Sequence, residues 1–320
     1  MTDVLLVSLG GTSGLREADA ELAASLRRAG AAVETAVVPE QRERRPMALH
    51  ELGWAVAARR TAAAAIRAHA PRAVLYSSTT AALLAPRPGA IRFDAPAAGN
   101  RRGRHGLWQR PVERRRLATA PLLVPWSEGA LAEAPVTGPP AVVVPVPVAP
   151  SGPPGDRDIA AITYGANPVK KGLDRVLEAW RAARRADETL VVAGLAGTDA
   201  DGVRYTGMLP RPEYRALLRR ARAFVTAPRR EDYGIAQLEA LADGCALVTT
   251  PSPGPYAALP LARALDPRLV ADALPIRIAL DDPAPDYAER AAALLEPFRP
   301  DAVDRVVAEE LWPRLRTAAG

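Results

Sequence analysis

Cysteine and lysine are almost missing from this chain of 320 residues: it has one cysteine, and only Lys170 and Lys171 of its 42 basic residues are lysine, which leaves 40 arginines. A lone Cys245 excludes an intrachain disulfide and a cysteine-based metal site, and it fits a reducing compartment. Beside Ala246, Leu247 and Val248 it reads as an inert, buried side chain. Aromatic residues are scarce at 5%. Proteins that hold nucleic acid interleave aromatics with a basic stripe, so the net charge of +6 does not point to a nucleic-acid partner. Apolar runs fall far short of the roughly 20 residues of a spanning helix, and no transmembrane segment is expected. The opening Met-Thr-Asp-Val-Leu-Leu-Val-Ser-Leu-Gly-Gly lacks the basic start of a signal peptide and reads as a first strand. A cytoplasmic protein is expected, with peripheral placement at the inner membrane face left open.

Hydrophobic residues are plentiful at 48%, and 320 residues exceed what one core usually supports. Two domains of about 150 residues each are therefore expected. The two lysines stand side by side, directly before Gly172. A compact ammonium suits a diphosphate, and the glycine lets the chain turn into a helix beginning near Leu173.

Strand-like and helix-like segments alternate, which argues for parallel α/β domains. In the first half, strands are expected at Val4 to Leu9, Val33 to Val38, Ala73 to Tyr76, Ala90 to Phe93, Leu122 to Pro125 and Ala141 to Val144. Helices are expected from about Leu15 to Ala29 and Ala48 to His69. The stretch from about 135 to 155 is too rich in proline for a helix or central strand and reads as a linker. It would separate a domain over residues 1–150 from one over 156–300, with residues 301–320 a C-terminal helix that has the first domain as one place to pack. In the second half, strands are expected at Ile159 to Tyr164, Thr189 to Ala193, Ala223 to Thr226 and Ala246 to Thr249. Open parallel sheets bind ligands beyond the carboxyl ends of their strands, so the loops after Leu9, Tyr164, Ala193 and Thr226 are the places to look.

One of these loops carries the most informative stretch, Arg230-Glu-Asp-Tyr-Gly-Ile-Ala-Gln-Leu-Glu239. A loop carboxylate, a glycine that allows close backbone approach, and an exposed helix N-terminus suit a phosphorylated, hydroxyl-rich ligand. An ionised carboxylate two turns into the helix suits a vicinal diol. The stretch resembles the E-x7-E signature of retaining GT-B glycosyltransferases, family 4 above all. The register extends through Lys171-Gly172-Leu173-Asp174, Leu190 to Gly194, Gly207, Phe224-Val225-Thr226-Ala227-Pro228 and Asp243-Gly244-Cys245-Ala246-Leu247-Val248. Before residue 159 the likeness is only general, through Gly10-Gly11 after the first strand.

The resemblance implies an α/β protein of GT-B fold, two Rossmann-like parallel-sheet domains facing across a cleft. It implies a metal-independent, cofactor-free transferase that moves a sugar from a nucleotide-diphosphate sugar with retention, by front-face attack. Lys171 matches the lysine on the donor diphosphate, Glu231 the carboxylate near the transferred sugar, and Glu239 the one on the ribose. Gly165, Tyr233 and the amides of Gly234 and Ile235 complete that side, with Met208 and Leu209 near the base. The family's usual Gly-Arg after the preceding strand is Gly165-Ala166 here, so either Lys170, Arg229 or Arg230 supplies the missing charge or donor affinity is weakened. Failing that, the chain is a non-catalytic relative that binds sugar nucleotides or a partner. The loop Pro251 to Tyr256 also departs from the family pattern.

Two further patterns compete for meaning. Asp199-Ala200-Asp201 is a D-x-D, by which other transferases hold a divalent cation, but between Gly197 and Gly202 it has the composition of a surface turn. No metal site is expected. Residues 92–116 are the most basic region. Their arginines suit an anionic or lipid-linked acceptor or a lipid surface, with Asp94 on a loop, His105 as the candidate base, and Gly10 and Gly11 lining the cleft.

Overall fold

The computed structural model describes residues 2–42, 47–101 and 103–318. The chain divides into two compact units, Met1–Pro147 with Pro300–Gly320, and Val148–Arg299. Each is built on a parallel five-stranded sheet.

In the first unit the strands are β1 (Val4–Ser8), β2 (Val33–Val37), β3 (Ala73–Tyr76), β4 (Ala90–Phe93) and β5 (Leu123–Pro125), in the order β2-β1-β3-β4-β5. Four of the five are buried along their whole length, because helices on both faces of a parallel sheet leave no wet side. The helix Ser13–Arg28 starts at Thr12, whose hydroxyl accepts the Leu15 amide. Such a cap satisfies one of the free donors at a helix start. The C-terminal segment belongs to this core: Val303, Val307, Leu311 and Leu315 pack among Val4, Leu6, Leu22, Leu26 and Val33. Their spacing of four residues would drift around an ideal helix of 3.6 residues per turn, and a wider π-turn at Val307–Leu311 keeps them on one face.

The expected strand from Ala141 to Val144 is absent. Ala141 makes only an isolated bridge to Leu123, while Val142 and Val144 donate to the carbonyls of Leu123 and Pro125. Pro140 and Pro145 bracket the segment and cannot donate, so the ladder does not extend.

The second unit holds β6 (Ile159–Tyr164), β7 (Leu190–Ala193), β8 (Val203–Gly207), β9 (Ala221–Thr226) and β10 (Ala246–Thr249), in the order β10-β9-β6-β7-β8. The chain runs outward from β6 to β8, then crosses back to add β9 on the other side of β6. That reversal opens a crevice between the carboxyl ends of β6 and β9, where sheets of this kind hold ligands. The helix Leu173–Ala183 packs against β9 and buries Leu173, Val176 and Trp180. The indole of Trp180 keeps a polar partner, donating to the Gly202 carbonyl at 3.1 Å.

Candidate active site

The crevice of the second unit gathers residues from the loop after β6, the loop after β9 and the helix Ile235–Ala242. After β6, Asn167 caps the single turn Pro168–Lys171, and Gly172 ends that turn at φ +61°. A Cβ at Gly172 would lie 1.9 Å from the Ala227 carbonyl oxygen, so only glycine lets this turn lie against the end of β9. The close approach brings the lysines to the second loop. Lys171 Nζ donates to Glu231 Oε2 at 2.6 Å, and Gln237 Nε2 donates to the same oxygen at 2.9 Å.

Glu231 is buried, and its amide donates to the Pro253 carbonyl at 3.0 Å. The divergent loop Pro251 to Tyr256 therefore braces the site. Gly234 starts the helix at φ +93°, and a Cβ there would meet the Tyr256 ring at 2.9 Å. Tyr256 is locked in turn by a 3.0 Å hydrogen bond with Thr249. Tyr233 is buried, its carbonyl accepting the Ala257 amide, and Ile235 is the first helical residue.

The three cations expected to replace the missing arginine at Ala166 take different partners. Arg229 turns outward to Asp174 at 2.8 Å. Lys170 Nζ and Arg230 Nε instead converge on Asp232, at 2.6 Å on Oδ2 and 2.8 Å on Oδ1. Burial works to raise the Asp232 carboxyl, but the charge and hydrogen bond of Lys170, with Arg230 added, hold it below the usual carboxylate range. Three cations and two carboxylates thus cluster at one helix start, which leaves a net positive charge beside amides that already favour an anion.

Glu239 lies about one turn into the helix Ile235–Ala242 and is buried. Arg211 donates to its Oε1 through Nε at 3.0 Å and Nη2 at 2.8 Å, and Arg215 Nη1 reaches the same atom at 3.4 Å. The sequence reading missed these arginines and Gln237. A signal existed: Arg211 and Arg215 repeat at four residues, as do Glu239 and Asp243. Met208 is exposed and Leu209 half-buried, directly after β8 and before Arg211. Gly165 follows β6, its amide donating to the Ala193 carbonyl.

The remaining expected residues lie in the first unit. Gly10 follows β1 at φ +60°, its carbonyl accepting Arg16 Nη1 at 2.7 Å, and Gly11 is exposed beside it. Asp94 follows β4 and accepts the Ala95 amide at 2.8 Å. His105 falls in the short turn Gly103–Gly106, and its side chain lies outside the described residues. The D-x-D forms a turn: Asp199 accepts the Tyr205 amide, and Asp201 adopts φ +52°. Among the described residues there is no cluster of three side chains suited to a metal.

Beyond the carboxyl ends of β3 and β4 lies a buried polar cluster that the sequence reading did not single out. Glu51 takes Thr80 at 3.0 Å and Arg101 at 2.8 Å, and Glu113 takes the Ala97 amide at 2.7 Å. Burial pushes the Glu113 carboxyl up to about 7, against the pull of Thr79, Ala97 and Arg101. An unfolded glutamate titrates near 4.5, so the folded state holds the extra proton between these values. Stability must fall as pH rises through that window. Thermal melts of Glu113→Gln should lose this slope between pH 4.5 and 7 relative to the parent, and an unchanged slope would place the proton elsewhere.

Residues 159–295 match the family model described as glycosyl transferases group 1. No curated protein sequence matches the chain. Among solved structures, a trehalose-6-phosphate synthase, OtsA, superposes with a TM-score of 0.70 at 11% identity, over 99% of both chains. A sucrose-phosphate synthase from Thermosynechococcus elongatus gives 0.68 at 14%, over 99% of this chain and 100% of that one. HepE of Anabaena, solved with UDP and glucose, gives 0.63 at 13%, over 97% and 99%. The chain accordingly has the GT-B fold of these glycosyltransferases, and its residues 159–295 match the model of glycosyl transferases group 1.

Proposed function

We propose that the protein is a retaining hexosyltransferase of the family 4 type, which uses a nucleotide-diphosphate sugar without metal or other cofactor. The observation that carries this reading is the Lys171–Glu231 contact at the start of the helix Ile235–Ala242. A donor diphosphate in this crevice meets Lys171, the helix amides, and Lys170 and Arg230, which take the place of an arginine at Ala166. Glu231 attends the sugar and Glu239 the ribose hydroxyls. As the bond from the anomeric carbon to the diphosphate breaks, its electron pair leaves on a phosphate oxygen, and fixed cations stabilise that charge. The acceptor oxygen bonds to the anomeric carbon from the same face, and its proton passes to the departing phosphate. A glycosidase-like pair of carboxylates flanking one bond does not suit the arrangement, because Glu239 is neutralised by two arginines.

Incubation with a panel of labelled sugar nucleotides, with and without chelator, tests this reading. Slow donor hydrolysis that survives chelation is expected, with the product keeping the donor's anomeric configuration. Binding without turnover would favour the non-catalytic relative suggested by Ala166, and loss of hydrolysis with chelator would refute metal independence.

An anionic, lipid-borne acceptor is the reading that fits the first unit. From Ala95 to Ser127 the chain has seven arginines and a single carboxylate, Glu113, which is buried. Leu107, 64% exposed, stands beside Trp108, whose indole donates to the Ala48 carbonyl next to exposed Leu49 and Leu52. Apolar side chains among arginines suit an acidic membrane surface, and no helix among the described residues is long and apolar enough to cross one. The protein should co-sediment with phosphatidylglycerol vesicles and not with phosphatidylcholine alone. Exchanging Arg104, Arg114 and Arg115 for glutamine should weaken that binding by roughly a hundredfold, at about 1 kcal/mol for each charge. Equal binding to both vesicles would refute it.

A further inference from the structure

Two helices of the second unit face each other with matched charges. Arg211 and Arg215 lie one turn apart on Arg211–Arg220, and Glu239 and Asp243 one turn apart on and just past Ile235–Ala242. Spacing of four residues puts each pair on one helix face. Arg215 sits buried at the centre. Its Nη1 reaches Glu239 Oε1 at 3.4 Å, its Nε donates to Asp243 Oδ2 at 2.6 Å, and its Nη2 donates to the Ala149 carbonyl at 2.8 Å. Each guanidinium nitrogen has a different partner, so the plane cannot turn. Asp243 is fixed as firmly, accepting the amide of Ser151 at 2.8 Å and its hydroxyl at 3.0 Å.

The arrangement is more than the fold requires. Buried ion pairs give up much hydration, and apolar side chains of similar volume are often as stabilising. Asymmetry supplies the reason: all three arginine contacts to Glu239 end on Oε1. A carboxylate clamped by one oxygen presents the other in a fixed direction, with two lone pairs to accept hydroxyl protons.

Resting on the reading of Glu239 as the ribose seat, we propose that Arg215 is the positioning residue for that seat, aligning Glu239 with the ribose hydroxyls of the donor nucleotide. It does not touch the ligand. Its anchor is the segment Ala149 to Ser151 and the end of the helix Ile235–Ala242, so its effect falls on ribose recognition and not on the diphosphate.

Calorimetric titration with UDP, GDP and ADP and with their 2′-deoxy counterparts tests this. For the nucleotide that binds best, the parent should favour the ribose form by about tenfold or more, as expected for a hydrogen bond to a charged acceptor. Glu239→Gln should shrink that preference. Arg215→Lys keeps the charge but not the fork, and should bring the preference to within about twofold while leaving pyrophosphate affinity unchanged. Asp243→Asn, which alters the partner of Arg215 Nε and of Ser151 but no contact of Glu239's carboxylate, should act in the same direction. If the parent binds none of the three nucleotides, the donor reading falls and this proposal with it. If Glu239→Gln keeps the full preference, the ribose seat lies elsewhere and the proposal fails. If Glu239→Gln loses the preference but Arg215→Lys retains it, Arg215 is structural only and the proposal alone is overturned.

Discussion

Replacing Lys171 with methionine should lower turnover by about 10²–10³-fold, the effect of losing one preorganised partner for developing charge. The methionine retains the apolar stem and removes only the ammonium that faces Glu231. Two losses are combined in that single change. On the proposed donor geometry transfer loses one of its cations, and Glu231, which is buried, keeps only Gln237 as a side-chain donor. An uncompensated buried carboxylate costs about 3 kcal/mol, so the variant should also melt earlier. Adding Glu231→Gln separates the two effects. The double variant should regain most of the lost stability, because no charge is left unpaired, yet it should not regain turnover. Recovery of turnover in the double variant would show that Lys171 serves the fold alone. Lys171→Arg should rescue poorly, because a planar fork cannot occupy the place of a compact ammonium 2.6 Å from its partner.

Gly172→Ala should be the most damaging small substitution in the second unit. Its cost has two sources. An L-residue at φ +61° loses about 1 kcal/mol or more in the left-handed region. The new Cβ would also lie 1.9 Å from the oxygen and 2.9 Å from the carbon of the Ala227 carbonyl. That carbonyl is backbone directly after β9, so it cannot swing aside as a side-chain tip would. A total of roughly 3 kcal/mol is expected, or a fall of about 10 °C in melting temperature for a unit of this size. Gly207→Ala is the control. Its φ is +67°, but nothing lies within 4 Å of its added Cβ, so it should show only the backbone term, roughly 1 kcal/mol. Equal losses at the two glycines would mean that the loop after β6 yields to the clash, and that Lys171 is held less rigidly than its short contact suggests.

Much of this site was legible in the sequence because its signals are local. The lysine pair before Gly172, the glycine before the helix at Ile235, and the two glutamates eight positions apart are all features of turn chemistry and helical period. The D-x-D likewise read as a turn from its flanking glycines, and Asp199 and Asp201 form one. Where the reading failed, local pattern was opposed by something else. Ala141 to Val144 has the composition of a strand, but the prolines around it deny the ladder its donors. Arg211 and Arg215 did not stand out among the chain's many arginines, because nothing nearby in the chain marks them as partners of Glu239. Gln237 is only six residues from its partner Glu231, but the pair spans the junction of loop and helix, where no single period relates the two side chains.

The sequence by itself determined the alternation of strands and helices, the turns that end them, and the positions of Lys171, Glu231 and Glu239, since period and backbone preference act over a few residues. Tertiary structure alone decided which charge meets which. Lys170 and Arg230 share Asp232, Arg229 turns away to Asp174, and the helix that carries Arg215 lies against the one that carries Glu239. The partners in all but the Arg230 contact are more than 20 residues apart in the chain. Strand order brings them together, and strand order is set by the burial of whole sheet faces, which no short stretch of residues encodes.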